Sequence, residues 1–115
     1  MEQIEAIARR RDLEQRSENL WEHETKEVAI YLEGETWKLE VEGEARTLDL
    51  DLKYPDVRIG IVGKSGNAFA ILGSVDRGLK SAGVSQQERD IYKADATDGD
   101  YDHLLATTMK YVDVY

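Results

Sequence analysis

Apolar and polar residues alternate along the middle of the chain, whereas the regions on either side repeat with a longer period. Between Lys26 and Ile61, short runs place an apolar residue at every second position, which is typical of β-strands that bury one face. From Gly66 onward, apolar residues recur every third or fourth position, which is typical of amphipathic helices. The apolar positions of the four alternating runs are Val28, Ile30 and Leu32; Trp37, Leu39 and Val41; Leu48, Leu50 and Leu52; and Val57, Ile59 and Ile61.

The breaks between these runs are short, and each contains Gly or Pro. They read EGE at 33–35, EGEAR at 42–46 and YPD at 54–56. Short breaks of this composition favour tight turns, which join consecutive strands in antiparallel order. We therefore expect a four-stranded antiparallel meander over residues 26–62, with one apolar face.

Helical periodicity and capping residues predict one helix before the sheet and three after it. The first lies within residues 2–20. Asn67 suits the N-cap of the second helix, Ser85 opens a capping box for the third, and Asp100 lies near the start of the fourth. The stripe predicted to pack on the sheet contains Ile71, Leu72, Val75 and Leu79.

These elements predict an α+β fold in a single domain, residues 1–115. It contains an N-terminal helix, the four-stranded antiparallel meander and three C-terminal helices packed on one face of the sheet. Gly73 and Gly78 lie inside a predicted helix, where Gly is about 1 kcal/mol less favourable than Ala. We expect one of them to permit the close approach of another backbone or of a ligand.

The charge balance and the residue types present disfavour some classes of function for this chain and exclude others. The chain has 24 acidic and 15 basic residues, a net charge of −9, so direct nucleic-acid binding is not expected. Cysteine is absent, which excludes disulfides and thiolate chemistry and favours a cytoplasmic location. No apolar run is long enough for a membrane span, so we expect a soluble protein that does not enter membranes.

The turn before the second helix is the one place where the sequence suggests a ligand. The letters GKSG at 63–66 resemble part of a phosphate-binding loop, but Gly60 lies three residues before Gly63, and the motif requires five. A weaker hypothesis remains, because helix N-termini favour anions. The residues of this predicted anion site are Gly63, Lys64, Ser65, Gly66, Asn67 and Arg77.

Catalytic and metal signatures are not evident in the sequence. The acidic segment DATDGDYDH at 95–103 fails the register of a calcium-binding loop, so Asp98 and Asp100 are better explained as helix caps. His103 falls in the first turn of a predicted helix and is expected to be a surface or hydrogen-bonding group. We predict no catalytic residue, no metal site and no cofactor.

The second half of the chain resembles a family of small uncharacterised proteins encoded by bacteriophages and prophages. The resemblance covers residues 57–115 and rests on three elements: GNAFAILG at 66–73, Ala-Gly at 82–83 and GDYDHLL at 99–105. It implies a phage-type accessory protein in a host cytoplasm, without a known activity. The pattern residues we single out are Asn67, Phe69, Gly73, Asp100, Tyr101 and His103.

Three functions remain open. The first is a non-enzymatic accessory protein that binds a host protein, with an anti-defence inhibitor as one form. The second is a small nucleotide- or phosphate-binding protein that uses residues 63–68, and the third is a structural or oligomerisation domain, including a homodimer. For the first, the predicted partner-binding residues lie on the acidic side of the meander, where carboxylates could imitate nucleic-acid phosphates: Glu40, Glu42, Asp49 and Asp51.

Overall fold

The computed structural model describes residues 2–61 and 66–115. Its elements, in chain order, are α1 Glu2–Arg10, β1 Leu13–Ser17, β2 Leu20–His23, β3 Val28–Glu33, β4 Thr36–Val41, β5 Glu44–Thr47, β6 Tyr54–Ile59, α2 Ala68–Ser81, α3 Gln86–Ala96, α4 Tyr101–Tyr111 and β7 Val112–Val114. This is an α+β fold with an N-terminal helix, an antiparallel sheet and three C-terminal helices, as predicted. The chain folds into two compact units, the first ending at Leu50 and the second beginning at Asp51. The prediction of one domain over 1–115 stays a prediction.

The first unit is a five-stranded sheet with strand order β1-β2-β3-β4-β5, in which all neighbours are antiparallel. Residues of α1 pack with one face of this sheet. The β3–β4 and β4–β5 connections are both two-residue turns. In the second of these turns, Glu42 and Gly43 have φ of 51° and 85°. Two consecutive positive φ values define a type I′ turn, whose twist matches that of the adjoining strands. The core of this unit contains Ile4, Ile7, Ala8, Leu13, Ile30, Leu39 and Leu48.

Two of the predicted boundaries in this unit were wrong. The first helix ends at Arg10 rather than near residue 20, because Asp12 takes a left-handed conformation (φ 58°) that Asp tolerates and that reverses the chain. The residues that follow form the hairpin β1–β2 instead of helix. The third predicted strand, over residues 48–52, is replaced by β5, because the type I′ turn at Glu42 sends the chain back at once.

The fourth predicted strand does not belong to the meander. β6 pairs in parallel with β7, a strand that the sequence pattern did not predict. Pro55 lies inside β6, where it lacks an N–H for the ladder, and the register shifts between Tyr54 and Arg58. A parallel pair needs a long crossover, and here α2, α3 and α4 provide it.

Three of the four residues of the predicted α2 stripe are buried and Leu72 is half-buried, but the stripe packs in the second unit with β6 and β7 and not on the meander. Ile71, Val75 and Leu79 are fully buried in that core. A Cβ atom on Gly78 would lie 2.5 Å from Ile59 Cδ1, so glycine is what permits α2 to approach β6 so closely. The close neighbours are the side chains of Ile59 and Val57, whereas the sequence led us to expect a backbone or a ligand. The core of this unit contains Tyr54, Val57, Ile59, Ile71, Val75, Leu79, Ala82, Val84, Tyr92, Ala96, Leu104, Tyr111 and Val112.

Candidate functional site

Two short segments of the second unit, each at the start of a helix, build the candidate site. Asn67 caps α2, because its Oδ1 accepts a hydrogen bond from the Ala70 N–H at 3.0 Å. Asp100 caps α4 in the same way, accepting from the His103 N–H at 2.9 Å. Both cap residues have extended backbone and short polar side chains, as N-caps require. The sequence predicted both caps.

A hydrogen bond brings these two helix starts together. The Gly66 N–H donates to the Tyr101 hydroxyl oxygen at 2.6 Å. Gly66 has a φ of 83°, which turns its N–H toward α4 without the penalty that another residue would incur. Gly66 and Asn67 of the first pattern element therefore lie beside Asp100 and Tyr101 of the last, although more than 30 residues separate them.

An open, mainly apolar cleft of about 230 Å³ lies between the two helix starts. Phe69 stands at this cleft and is 86% exposed, the most exposed of the large apolar side chains that the structure describes. Phe69 therefore contributes little to the core, and its ring is available beside the cleft. The lining residues are Ala68, Phe69, Leu72, Ala96, Thr97, Gly99, Asp100, Tyr101 and Leu104.

His103 packs against Gly99, one of the residues that line the cleft. Its Nε2 lies 2.8 Å from the carbonyl oxygen of Asp95 near the end of α3 and 3.3 Å from Thr107 Oγ1. A Cβ on Gly99 would come within 2.8 Å of the His103 side chain, so glycine is needed there for the ring to pack. The structure confirms His103 as a hydrogen-bonding group, and its contacts join α3 to α4.

The predicted anion site is only partly within the described residues. Gly63, Lys64 and Ser65 lie outside them. The N–H groups of Gly66 and of Ala70 already have acceptors, in Tyr101 and in the N-cap. Arg77 is nine residues into α2, about 14 Å along the axis from its first residue, and donates to Ser74 Oγ at 3.3 Å. The described residues therefore do not bring Arg77 to the helix start.

The four predicted partner-binding carboxylates do not share one strand. Glu40 lies in β4, half-buried between Ala29 and Ala45 of the neighbouring strands. Glu42 is in the β4–β5 turn, and Asp49 and Asp51 follow the sheet, exposed. The regular carboxylate spacing of a strand, on which the idea of phosphate imitation rested, is therefore not present among these four residues. Their role in partner binding stays a prediction.

A partly buried ion-pair cluster of Asp76, Arg89 and Lys93 joins α2 to α3, and sequence reasoning missed it. Asp76 Oδ1 lies 3.0 Å from Arg89 Nε and 3.2 Å from Lys93 Nζ. Arg89 is buried and also donates to the Val84 carbonyl at 2.8 Å. Burial alone would raise the pKa of Asp76, but the two cations hold that pKa below its ordinary value of 3.8. The spacing i, i+4 of Arg89 and Lys93 on one helix face was the available sequence indication.

Two tyrosines, Tyr92 and Tyr111, form contacts between α3 and α4. The Tyr92 hydroxyl pairs with Thr108 Oγ1 at 2.7 Å, and burial raises the pKa of Tyr92. Tyr111 donates to Asp95 Oδ2 at 3.2 Å, and burial together with that carboxylate raises the pKa of Tyr111. The Tyr92 and Tyr111 rings meet edge to face, 5.1 Å apart. Raised tyrosine pKa values here reflect packing.

A second depression, of about 520 Å³, lies in the first unit beside His23. The Nδ1 atom of His23 accepts from the N–H groups of Thr25 and Lys26 at 3.0 and 2.9 Å, which holds the β2–β3 connection. Within residues 2–61 and 66–115, no three His, Asp or Glu side chains are placed to hold a metal ion. None of the helices described there is both long and apolar enough to cross a membrane.

Comparison with known proteins adds no family to this geometry. No family model, no curated protein and no solved structure matches the chain.

Proposed function

We propose that this chain is a small, acidic, non-enzymatic accessory protein of the phage type that acts by binding a host protein. An inhibitor of a host defence protein is the form we favour, in line with the resemblance of residues 57–115. The contact surface would be the start of α2 and α4. This location replaces the sheet carboxylates as the leading hypothesis, because Phe69, the most exposed large apolar side chain among the described residues, lies there.

The observation that carries the proposal is Phe69, 86% exposed beside an apolar cleft. Exposed aromatic side chains next to a concave apolar surface are typical anchors of protein interfaces, and a few such residues supply most of the binding energy. The cleft wall contains few groups that could act chemically. Of the described lining residues only Asp100 and Tyr101 carry a carboxyl or phenol group, and both take part in hydrogen bonds that hold the two helix starts.

The test is affinity capture from a bacterial host lysate with three baits. Wild type and Met109→Ala should retain the same host protein, and Phe69→Ala should lose it. Met109 is a suitable control because it is 57% exposed on α4 and does not line the cleft. The captured protein is then purified and its affinity measured by calorimetry against all three. Retention that is unchanged by Phe69→Ala, or no protein specific to wild type, would contradict the proposed function.

A further inference from the structure

The geometry points to a particular occupant of the Phe69 cleft: a basic segment of the partner that inserts one apolar side chain between α2 and α4 and places Lys or Arg beside it. The inference rests on the proposed function and names the chemistry of the partner. Three properties of the cleft carry it: its volume, the charge of its rim and the poor match of that rim to a second copy of this chain.

The volume suits a single side chain. Sites for cofactors and drug-sized molecules enclose about 300–1,000 Å³, and this cleft has about 230 Å³. Its floor is apolar, formed by Leu72, Ala96 and Leu104, the last two buried. One aliphatic or aromatic side chain can fill such a space while Phe69 covers it from the side. A peptide anchor therefore matches the cleft better than a free ligand does.

Among the described residues, the side of the cleft formed by 95–103 is acidic and the side formed by 66–75 is uncharged. Residues 95–103 contain four aspartates and no Lys or Arg, and Asp98, Asp100 and Asp102 are all exposed. Residues 66–75, which form the opposite side, contain no charged residue. Asp100 lines the cleft, and Asp98 and Asp102 are next to lining residues in the sequence, so this side attracts cations on the segment that enters. The occupant should therefore be basic next to its apolar anchor.

The same rim disfavours a homodimer through this cleft. A two-fold dimer uses the same patch on both copies, so Asp98, Asp100 and Asp102 of each copy would approach their equivalents. Like charges brought together in this way oppose association. The net charge of −9 on each chain adds to that repulsion. A basic partner segment has the opposite sign and meets no such penalty.

The experiment is selection from a random-peptide display library on immobilised wild type, followed by affinity measurement of the enriched peptides as free synthetic peptides. We expect enriched sequences with one large apolar residue flanked by Lys or Arg. Phe69→Ala should weaken their binding about 30-fold, as loss of a hot-spot residue does. Met109→Ala should leave it unchanged.

Charge variants test the rim separately. Asp98→Asn with Asp102→Asn should weaken binding about fivefold, and 0.5 M salt should reduce wild-type binding. Asp100 is kept because it caps α4. The charge-matched control is Glu18→Gln with Glu27→Gln, two exposed residues of the first unit, which should have no effect.

The outcomes separate this inference from the proposed function. Enriched peptides that depend on Phe69 but are acidic or neutral would overturn the basic occupant and leave protein binding in place. Peptides indifferent to Phe69→Ala, or no enrichment, would overturn the use of this surface altogether. A wild-type dimer in sedimentation that Phe69→Ala dissociates would identify the occupant as a second copy and refute the inference.

Discussion

The two units of this protein differ in how their small hydrophobic cores are assembled. In the first, one nine-residue helix packs with a sheet whose strands are all joined to their sequence neighbours, and seven of the described residues form the core. In the second, strands from opposite ends of the unit pair in parallel, three helices pack with them, and thirteen of the described residues form the core. The candidate site lies where distant segments meet, in the second unit.

The units also differ in whether their buried polar groups have hydrogen-bond partners. In the first, Trp21 Nε1 is buried and has no hydrogen-bond partner among the described residues. In the second, buried Arg89, Tyr92 and Thr108 all have partners. Unpaired buried donors reduce stability, and satisfied networks hold helices in one arrangement. Among the described residues, the buried polar groups of the second unit are therefore the better paired.

The largest expected effect comes from a charge in the second core. Val75 is fully buried, so Val75→Asp should cost about 4 kcal/mol or more and unfold α2–α4. Far-UV circular dichroism reports this, because most helical residues belong to the second unit. Both tryptophans, Trp21 and Trp37, lie in the first unit, so their emission should stay as in wild type.

Ile30→Asp is the reciprocal variant, since Ile30 is fully buried in the first core. It should change the tryptophan emission and spare most of the helical signal. If either variant abolishes both signals together, the two cores fold as one cooperative domain, in agreement with the single domain predicted from the sequence.

The ion-pair cluster should give the next largest effect. Asp76→Asn removes the carboxylate that pairs with buried Arg89, and we expect a loss of about 2 kcal/mol at pH 7. The folded-state pKa of Asp76 is lowered, so its contribution is present above the unfolded pKa and disappears as pH falls through the folded value, below 3.8. Urea denaturation at pH 7 and pH 3 should show the difference between variant and wild type shrinking in acid.

Asp90→Asn is the control for this variant. Asp90 is exposed on α3 and accepts only a surface hydrogen bond from Gln86, at 2.8 Å, so it should cost no more than about 0.5 kcal/mol. Equal losses of stability for Asp76→Asn and Asp90→Asn would show that the ion-pair cluster contributes no more to the free energy of unfolding than an exposed carboxylate does.

The two glycines of α2 should respond in opposite directions to the same substitution. Gly78→Ala places a Cβ 2.5 Å from Ile59 Cδ1 and 3.2 Å from Val57 Cγ1, and we expect a loss of about 1–2 kcal/mol despite the better helix propensity. Gly73→Ala meets only the mobile end of Arg77 at 3.3 Å and should stabilise by about 0.5–1 kcal/mol. Thermal denaturation compares the pair, and the same sign for both would contradict the close packing of α2 on β6.

The smallest effect is expected in a turn of the first unit. Glu42 has a φ of 51°, a conformation that Asn adopts more readily and that the type I′ turn favours. Glu42→Asn should stabilise the first unit by about 0.5 kcal/mol, seen as a shift in the tryptophan-detected urea midpoint. Glu44→Gln, which also removes one charge next to Gly43 but lies in β5, should give no gain. A gain from Glu44→Gln of the same size would assign the effect to charge instead of to the turn.

Local features were predictable because they depend on residues close in the chain. The α+β class, the caps Asn67, Ser85 and Asp100, and the stripe of Ile71, Val75 and Leu79 follow from periodicity and from short polar side chains at helix starts. Boundaries at Asp12 and Glu42 were missed, since each rests on a non-glycine residue with positive φ. Such a conformation is uncommon, and residue type alone does not indicate it.

The sequence by itself determined the periodicities, the caps and the acid segment 95–103. Only the tertiary structure decided that β6 pairs with β7, that the Gly66 N–H reaches Tyr101, and that Phe69 stays in solvent beside a cleft. An amphipathic pattern states which residues prefer burial, but it does not state against which distant segment they are buried. That choice depends on contacts across 30 to 60 residues, whose energies are properties of the assembled core and not of any one stretch of chain.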